Sequence, residues 1–281
     1  MITVVVMAAG LGTRFGGLKQ LAPVGPKGEA IVDYSLAQAA RAGFARAVIV
    51  VRSEIEEAIA AHFESRPPRL DWELVCQDRD PIANVPGREK PLGTAHAALC
   101  VRPAVDGPVA AINADDLYPD SAYEQMYAHL AGPGDDHALI AFRVANTMPG
   151  AKPVSRARCV VDDTGHLVEV VEGKVVAADD GLTWRRGDEH EEPLQGDELV
   201  SVNLFAFRHS IFEVLEEAVT AFVSSPRATG PDEILLPDVV NEMIRSGRGV
   251  VRVLVNEGRM LGVTHPDDVP VVREAAAHLT L

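Results

Sequence analysis

Residues 8–20 read Ala8-Ala9-Gly10-Leu11-Gly12-Thr13-Arg14-Phe15-Gly16-Gly17-Leu18-Lys19-Gln20. They follow a short apolar run, residues 2–7, whose valines and isoleucine suit a buried parallel strand. Four glycines in thirteen residues let the backbone fold tightly and bring N–H groups close to an anion. Arg14 supplies a planar, permanently charged fork for phosphate oxygens, and Lys19 a compact charge on a mobile stem. The other reading of the same residues is a plain strand-to-helix turn carrying two surface cations. The stretch itself favours phosphate.

It is not a dinucleotide fingerprint, although its glycine-x-glycine spacing suggests one. In that motif the third glycine opens a helix at once, and an acidic residue about 20 positions on holds the ribose. Here Pro23, Gly25, Pro26 and Gly28 intervene, and the first helical pattern waits until Ile31. The next strand, residues 47–51, ends at Arg52. A helix so far away cannot give its first turn to a pyrophosphate. Any phosphate must be held by the loop's own amides and cations.

Composition sets outer bounds. A chain of 281 residues makes one large α/β domain or two small ones and buries a substantial core. Its 47% hydrophobic and 24% charged residues are ordinary globular values. The net charge of −15 disfavours nucleic acid or an anionic membrane as partner, because both need excess Lys and Arg. The thirteen-residue stretch, with two cations and no acid, is a local exception. Cys76, Cys100 and Cys159 are far apart with no paired spacing, which points to reduced thiols and the cytoplasm. The N-terminus lacks a signal-peptide pattern, and no apolar run approaches the roughly 18 residues of a membrane span.

Along the chain, residues 31–42 read as a helix stopped by Gly43, and 54–63 as a second helix capped by Ser53. Residues 73–76 form a third strand. Buried strands alternating with helices predict a parallel sheet with a ligand at the strands' C-terminal ends. That edge gathers residues 8–20, Gln77 and Asp115. A polar loop, 78–92, delivers Gly93-Thr94-Ala95-His96-Ala97-Ala98-Leu99, which opens a helix with Thr94 as its cap. Its small residues suit either a flat ligand against the backbone or close packing on the sheet. His96 reads as a helix-face histidine, since no carboxylate lies at a suitable spacing to orient it.

A fourth strand, 109–112, runs into Asn113-Ala114-Asp115-Asp116. Acids just past a buried strand make a hard-oxygen site suited to Mg²⁺, with Asp115 as ligand and Asp116 as a turn or cap residue. Residues 119–130, 211–222 and 234–244 are helical, and 137–144 and 250–255 are strands. A last helix runs to about residue 278. Strand-like pieces at 159–161, 167–171 and 174–176, with the turn Asp163-Thr164-Gly165, suggest a hairpin insertion covering the site. The acidic run 188–192 reads as a solvated loop. In the strand 199–207, Asn203 is the conspicuous polar residue, needing backbone or ligand hydroxyls as partners.

Taken together these pieces resemble the nucleotidyltransferases that couple a nucleoside triphosphate to a sugar 1-phosphate. The matching motifs are Gly10-x-Gly12-Thr13-Arg14 with Lys19, then Gly93-Thr94-Ala95-His96-Ala97, Ala114-Asp115 and Val202-Asn203, in the family's order over most of the chain. The resemblance implies a doubly wound, mostly parallel α/β sheet with helices on both faces, of the nucleotide-diphospho-sugar transferase type, with a small β-hairpin insertion over the site. It implies a single domain, 1–281, whose 1–118 half holds the nucleotide and whose 119–281 half holds the acceptor.

The same resemblance gives roles to residues. Gly10, Leu11, Gly12 and Thr13 would line the triphosphate with their backbone N–H groups, and Ala8, Ala9 and Thr94 would be nucleotide-binding beside them. Arg14 and Lys19 would neutralise the triphosphate and the leaving pyrophosphate. Gln77 and Gly93 would meet the base, Asp115 would hold Mg²⁺, and Asn203, Glu172 and Lys174 would meet the acceptor. Related enzymes often carry a second metal aspartate in the late strand-to-helix connection. Here that connection reads Gly262-Val263-Thr264-His265, leaving Asp267 or Asp268 as the substitute.

The attacking phosphate is already ionised, so no general base is needed, and neither His96 nor His265 is assigned as one. Two other readings share the residues. One is a cytidylyl-type transferase with a non-sugar phosphate or phosphonate acceptor, the other a nucleotide-sugar-binding regulatory protein without catalysis. A nicotinamide oxidoreductase is a remote third. The expected partners are a nucleoside triphosphate and a small phosphorylated acceptor, with no nucleic acid and no membrane. The base, the acceptor and any homo-oligomer are left open.

Overall fold

The first strand, β1 (Thr3–Met7), is buried along its whole length, with Val5 facing one core and Val4 and Val6 the other. β-Branched side chains on both faces are what a strand between two helix layers requires. In the computed structural model the described residues are 1–10, 18–150, 152–178, 181–187, 190–263 and 266–281, without the side chains of Ala178 and His190. Leu11, Gly12, Thr13 and Arg14, which the sequence assigns to the phosphate loop, lie outside them, as do Thr264 and His265.

The chain continues through α1 (Ile31–Ala42), β2 (Arg46–Val51), α2 (Ser53–Ser65), β3 (Asp71–Cys76), α3 (Thr94–Leu99), β4 (Val109–Asn113), β5 (Asp116–Leu117), α4 (Asp120–Ala131) and β6 (His137–Arg143). An antiparallel run follows: β7 (Val154–Val161), β8 (Leu167–Ala178), β9 (Gly181–Arg186), β10 (His190–Leu194) and β11 (Leu199–Phe207). The chain closes with α5 (Ile211–Val223), α6 (Leu236–Arg245), β12 (Val251–Asn256), β13 (Leu261–Gly262) and α7 (Val269–Ala276).

The fold is the expected doubly wound α/β type. Described strands form an 11-stranded mixed sheet in the order β10-β9-β8-β7-β11-β4-β1-β2-β3, with β6 joining β11 to β12. The β3-β2-β1-β4 block is parallel, as is β6-β12. β11 is the junction: its C-terminal part pairs β4, its N-terminal part pairs β7, and β6 runs along its other side. Helices α3, α5 and α6 cover one face, and α1, α2 and α4 the other. Gly43 ends α1 in the left-handed region, φ 111°, as a stop residue should. No helix among the described residues is long and apolar enough to cross a membrane.

Three local expectations need correction. Ser53 does not cap α2. It is the helix's first residue, and its N–H and hydroxyl both donate to the Asp78 carboxylate, the N–H at 2.9 Å. Thr94 does not cap α3, which Gly93 precedes; its hydroxyl accepts the Leu236 N–H at 2.8 Å and pins α6. Within the acidic run 188–192, residues from His190 on form a strand rather than a loop. β10 pairs antiparallel with β9, and Glu192 reaches Arg158 on β7 at 2.7 Å. Charge on a sheet surface is cheap when a cross-strand cation faces it.

Candidate active site

The C-terminal ends of β1, β3 and β4 open onto a cavity of about 660 Å³. Ala8 and Ala114 continue the ladder past the strand ends, donating to Val50 O at 2.8 Å and Met7 O at 3.3 Å. Gln20 braces the entry to the glycine loop: its Nε2 donates to Ala8 O at 2.8 Å and Gly10 O at 3.0 Å. Sequence reasoning quoted Gln20 without giving it work. No local signal marked it, since its carbonyl partners lie 10 and 12 residues back in the chain.

Lys19 and Asp115, 96 residues apart, form an ion pair at the mouth of this cavity. Ala9, Gly10, Gln77, Gly93 and Thr94 line it on the other sides. Gly93 has φ 122°, and a Cβ there would stand 2.4 Å from Ile234 O. Only glycine permits that approach.

The two adjacent acids do different jobs. Asp115 is partly open to the cavity. Asp116 is buried and turned inward, accepting from Asn113 Nδ2 at 2.8 Å and the Tyr118 hydroxyl at 3.2 Å. Burial, then the charge of Asp115, pushes its carboxyl up to about 6, with Arg156 opposing. The late connection packs directly on this pair. Val263 N–H donates to Asp115 O at 2.9 Å, and a Cβ on Gly262 would meet Asp116 Oδ1 at 2.3 Å. Asp267 sits elsewhere, with its side chain 79% exposed and 2.6 Å from Lys152 Nζ. Neither it nor Asp268 lines the cavity.

A second cavity, about 410 Å³, adjoins the first. The two share Lys19, Asp115 and Asn203, and Glu172 and Lys174 line the second. Asn203 has a left-handed backbone, φ 61°, in the irregularity of β11 between Ser201 and Phe205. Its N–H donates to Ser201 Oγ at 3.2 Å, while its Oδ1 is buried and meets no donor among the described residues. Burial raises the Glu172 carboxyl, with Asp238 adding to the shift and Arg156 opposing it.

Arg156 is a residue that the sequence reading missed. It reaches into the second cavity from β7 and donates to Thr147 O at 2.6 Å. Arg156 and Arg158 stand two residues apart on β7 and share a face, so alternation does not say which of them reaches the cavity.

His96 is fully buried, 0% exposed, and a carboxylate does face it. Asp80, from the 78–92 loop, places Oδ2 3.4 Å from His96 Nε2. Sequence spacing along one helix could not reveal a partner from a loop. Burial lowers the imidazole's affinity for a proton, so His96 is neutral. On its other side, Nδ1 lies 3.2 Å from Gln77 Nε2, which also donates to Gly93 O at 3.0 Å.

A larger hollow, about 730 Å³, is lined by residues of β7–β9, Arg158 and Trp184 among them. None of the glycine, lysine or aspartate motifs reaches it.

The family model described as MobA-like NTP transferase domain matches residues 4–218. No curated protein matches the sequence. Several solved structures share the fold at low identity. A structure named as a glucose-1-phosphate thymidylyltransferase from Bacillus anthracis, in complex with a sucrose, is 14% identical, with 100% of this chain and 97% of that one covered and a TM-score of 0.72. The inositol-1-phosphate CTP transferase from T. maritima is 14% identical over 99% of this chain and 98% of that one, TM-score 0.65. HddC from Yersinia pseudotuberculosis is 15% identical over 98% and 99%, TM-score 0.62.

Proposed function

The chain belongs to the MobA-like NTP transferase domain family and is a nucleotidyltransferase; on that premise we propose that it transfers a nucleotidyl group from a nucleoside triphosphate to a sugar 1-phosphate, releasing pyrophosphate, with Mg²⁺ as cofactor. One observation carries this reading. Two cavities, one walled by Gly10, Gln77 and Gly93 and the other by Asn203, Glu172 and Lys174, meet at Lys19 and Asp115. A donor chamber and an acceptor chamber joined at a cation and a carboxylate are what a reaction between two phosphates needs.

The residues present fit the metal. Asp115 offers a hard oxygen that already faces a cation, the Lys19 ammonium, and it opens to both cavities. When bound there, Mg²⁺ would neutralise phosphate charge as a Lewis acid. The chain's own residues do the rest. Lys19 turns from Asp115 to the triphosphate and stabilises the negative charge that builds on the leaving pyrophosphate. Gln77 and Gly93 seat the base, and Asn203 offers its unpartnered Oδ1 to an acceptor hydroxyl. Arg14, outside the described residues, joins Lys19 in this reading.

An acceptor phosphate oxygen forms its bond to the α-phosphorus as the bond to pyrophosphate breaks, in line. That oxygen is ionised at neutral pH, so no proton has to be removed. Orientation and charge neutralisation supply the rate. His96, buried and neutral, has no part in the bond-making step. A cytoplasmic setting belongs to the same reading and is supported by three free cysteines.

The test is pyrophosphate release across a panel of triphosphates and sugar 1-phosphates. CTP with inositol 1-phosphate or a phosphonate forms a second arm, because a structural neighbour is named for the first of those pairs. Asp115→Ala is expected to retain the wild-type melting temperature and lose about 10²–10³ in kcat. Full turnover in that variant would remove Asp115 from the site. Tight nucleotide-sugar binding without turnover on any pair would favour a non-catalytic binder.

A further inference from the structure

We propose that His96, held by Asp80, is a positioning residue that together with the Gly93 carbonyl fixes which end of the Gln77 amide faces the nucleotide cavity and thereby sets base preference. This rests on the nucleotidyltransferase reading and on Gln77 as a base contact. Polarity can be followed atom by atom. The Gly93 carbonyl can only accept, so the Gln77 terminus 3.0 Å from it is the NH₂. The same NH₂ lies 3.2 Å from His96 Nδ1, which must therefore accept, leaving the imidazole proton on Nε2.

Nε2 in turn faces Asp80 Oδ2 at 3.4 Å, with the Cys100 sulfur 3.3 Å away. Asp80 is itself fixed, because its other oxygen accepts the Ile82 N–H at 3.0 Å. Both amide hydrogens of Gln77 are thus committed, and Oε1 is the atom left for a ligand in the cavity that Gln77 lines. A base is then held there through a hydrogen it donates. A reversed amide would instead ask the base for an acceptor. UTP and CTP differ by such an exchange at ring positions 3 and 4.

The His96, Cys100 and Asp80 atoms also stand at separations that a tetrahedral metal could span. A metal would take the Nε2 lone pair and move the proton to Nδ1, against the Gln77 NH₂. Relieving that clash would turn the amide oxygen onto the Gly93 carbonyl. The hydrogen-bonded arrangement satisfies these groups without that conflict.

Asp80→Asn inverts the chain of donors. Its oxygen stays on Ile82 N–H and its NH₂ faces His96 Nε2, so the proton shifts to Nδ1 and meets the Gln77 NH₂. The Gly93 carbonyl still holds that NH₂ while His96 now favours the amide oxygen, and Gln77 loses its single fixed orientation. UTP and CTP affinities, measured by displacement of a fluorescent nucleotide, give the ratio that reports this. The ratio is expected to move by about tenfold or more toward the nucleotide that the wild type disfavours. His96→Leu should bring the ratio toward one. His96→Asn, whose Oδ1 can stand where Nδ1 stood, should restore the wild-type value.

Ring ¹⁵N spectra of the wild type are expected to show His96 as the Nε2–H tautomer. An Nδ1–H tautomer, or one equivalent of zinc retained by the purified protein, overturns the proposal. So does a ratio unchanged within about twofold in folded Asp80→Asn and His96→Leu. If no nucleoside triphosphate, purine or pyrimidine, binds the wild type, the nucleotide reading falls and takes this inference with it. If only purine triphosphates bind, this inference alone falls. If both bind and the variants change nothing, this inference alone falls.

Discussion

Asn203 holds a backbone conformation, φ 61°, that costs most residues about 1–2 kcal/mol, and asparagine visits it with less difficulty. Its location at the shared wall of two cavities makes that strain a mark of function. Asn203→Gly is expected to keep the unfolding free energy within about 0.5 kcal/mol and raise the acceptor KM, because glycine supplies the backbone but not Oδ1. An unchanged KM would remove Asn203 from the acceptor site. A histidine tests a different balance. Burial, with Arg208 nearby, lowers His137 to about 4, and its Nδ1 accepts the Arg208 N–H at 3.1 Å. The folded protein binds this proton less readily than the unfolded chain, whose histidine titrates near 6.5. Its contribution to stability is therefore complete above about pH 6.5 and lost as the pH falls toward 4, amounting to about 3 kcal/mol. Urea titrations of His137→Asn at pH 7 and pH 4 are expected to show that much less pH dependence than the wild type. Equal slopes would contradict it.

Among the elements, α3 shows how short-range reading and tertiary contact divide the work. Gly93 and the small residues after it announced a helix start and left open a flat ligand or close packing on the sheet. Which element crowds Gly93 came from elsewhere: Ile234, whose N–H also donates to Leu92 O at 2.7 Å. A methyl on Gly93 would collide with the Ile234 carbonyl and meet a disfavoured φ as well. Gly93→Ala should cost upward of about 2 kcal/mol in chemical denaturation and weaken nucleotide binding. A neutral result would mean the two segments move apart easily. Ser53 and Thr94 carry the complementary lesson. Both are good capping residues by type, yet each side chain found a partner more than 20 positions away, Asp78 for one and Leu236 for the other. Cap propensity ranks local options only, and a tertiary partner displaces them.

At the scale of the molecule, the proposed 1–118 nucleotide half and 119–281 acceptor half share one buried interior. Val5, Val48 and Val109 pack in the same buried cluster as Phe205, Phe212 and Val239, and β4 pairs directly with β11. Splitting the halves would expose that cluster and leave a sheet edge unpaired. A single cooperative thermal transition is expected, with calorimetric and van't Hoff enthalpies equal. A fragment ending at residue 118 should not fold alone. Two resolved transitions would show that the halves are separate domains.

By itself the sequence determined the alternation of buried strands and helices, the glycine-rich first crossover, and the placing of Asp115 at the end of a strand on that same edge. These are carried by local periodicity and by residue types with few conformational options, and they were enough for the family resemblance. Only the tertiary structure decided that Lys19 meets Asp115, that Gln20 braces Gly10, that Arg156 turns inward, and that Asp80 faces His96. Those pairings join residues from 10 to 96 positions apart. They depend on which loop, turn or helix the packing of the whole chain brings to each side chain, and no local periodicity records that.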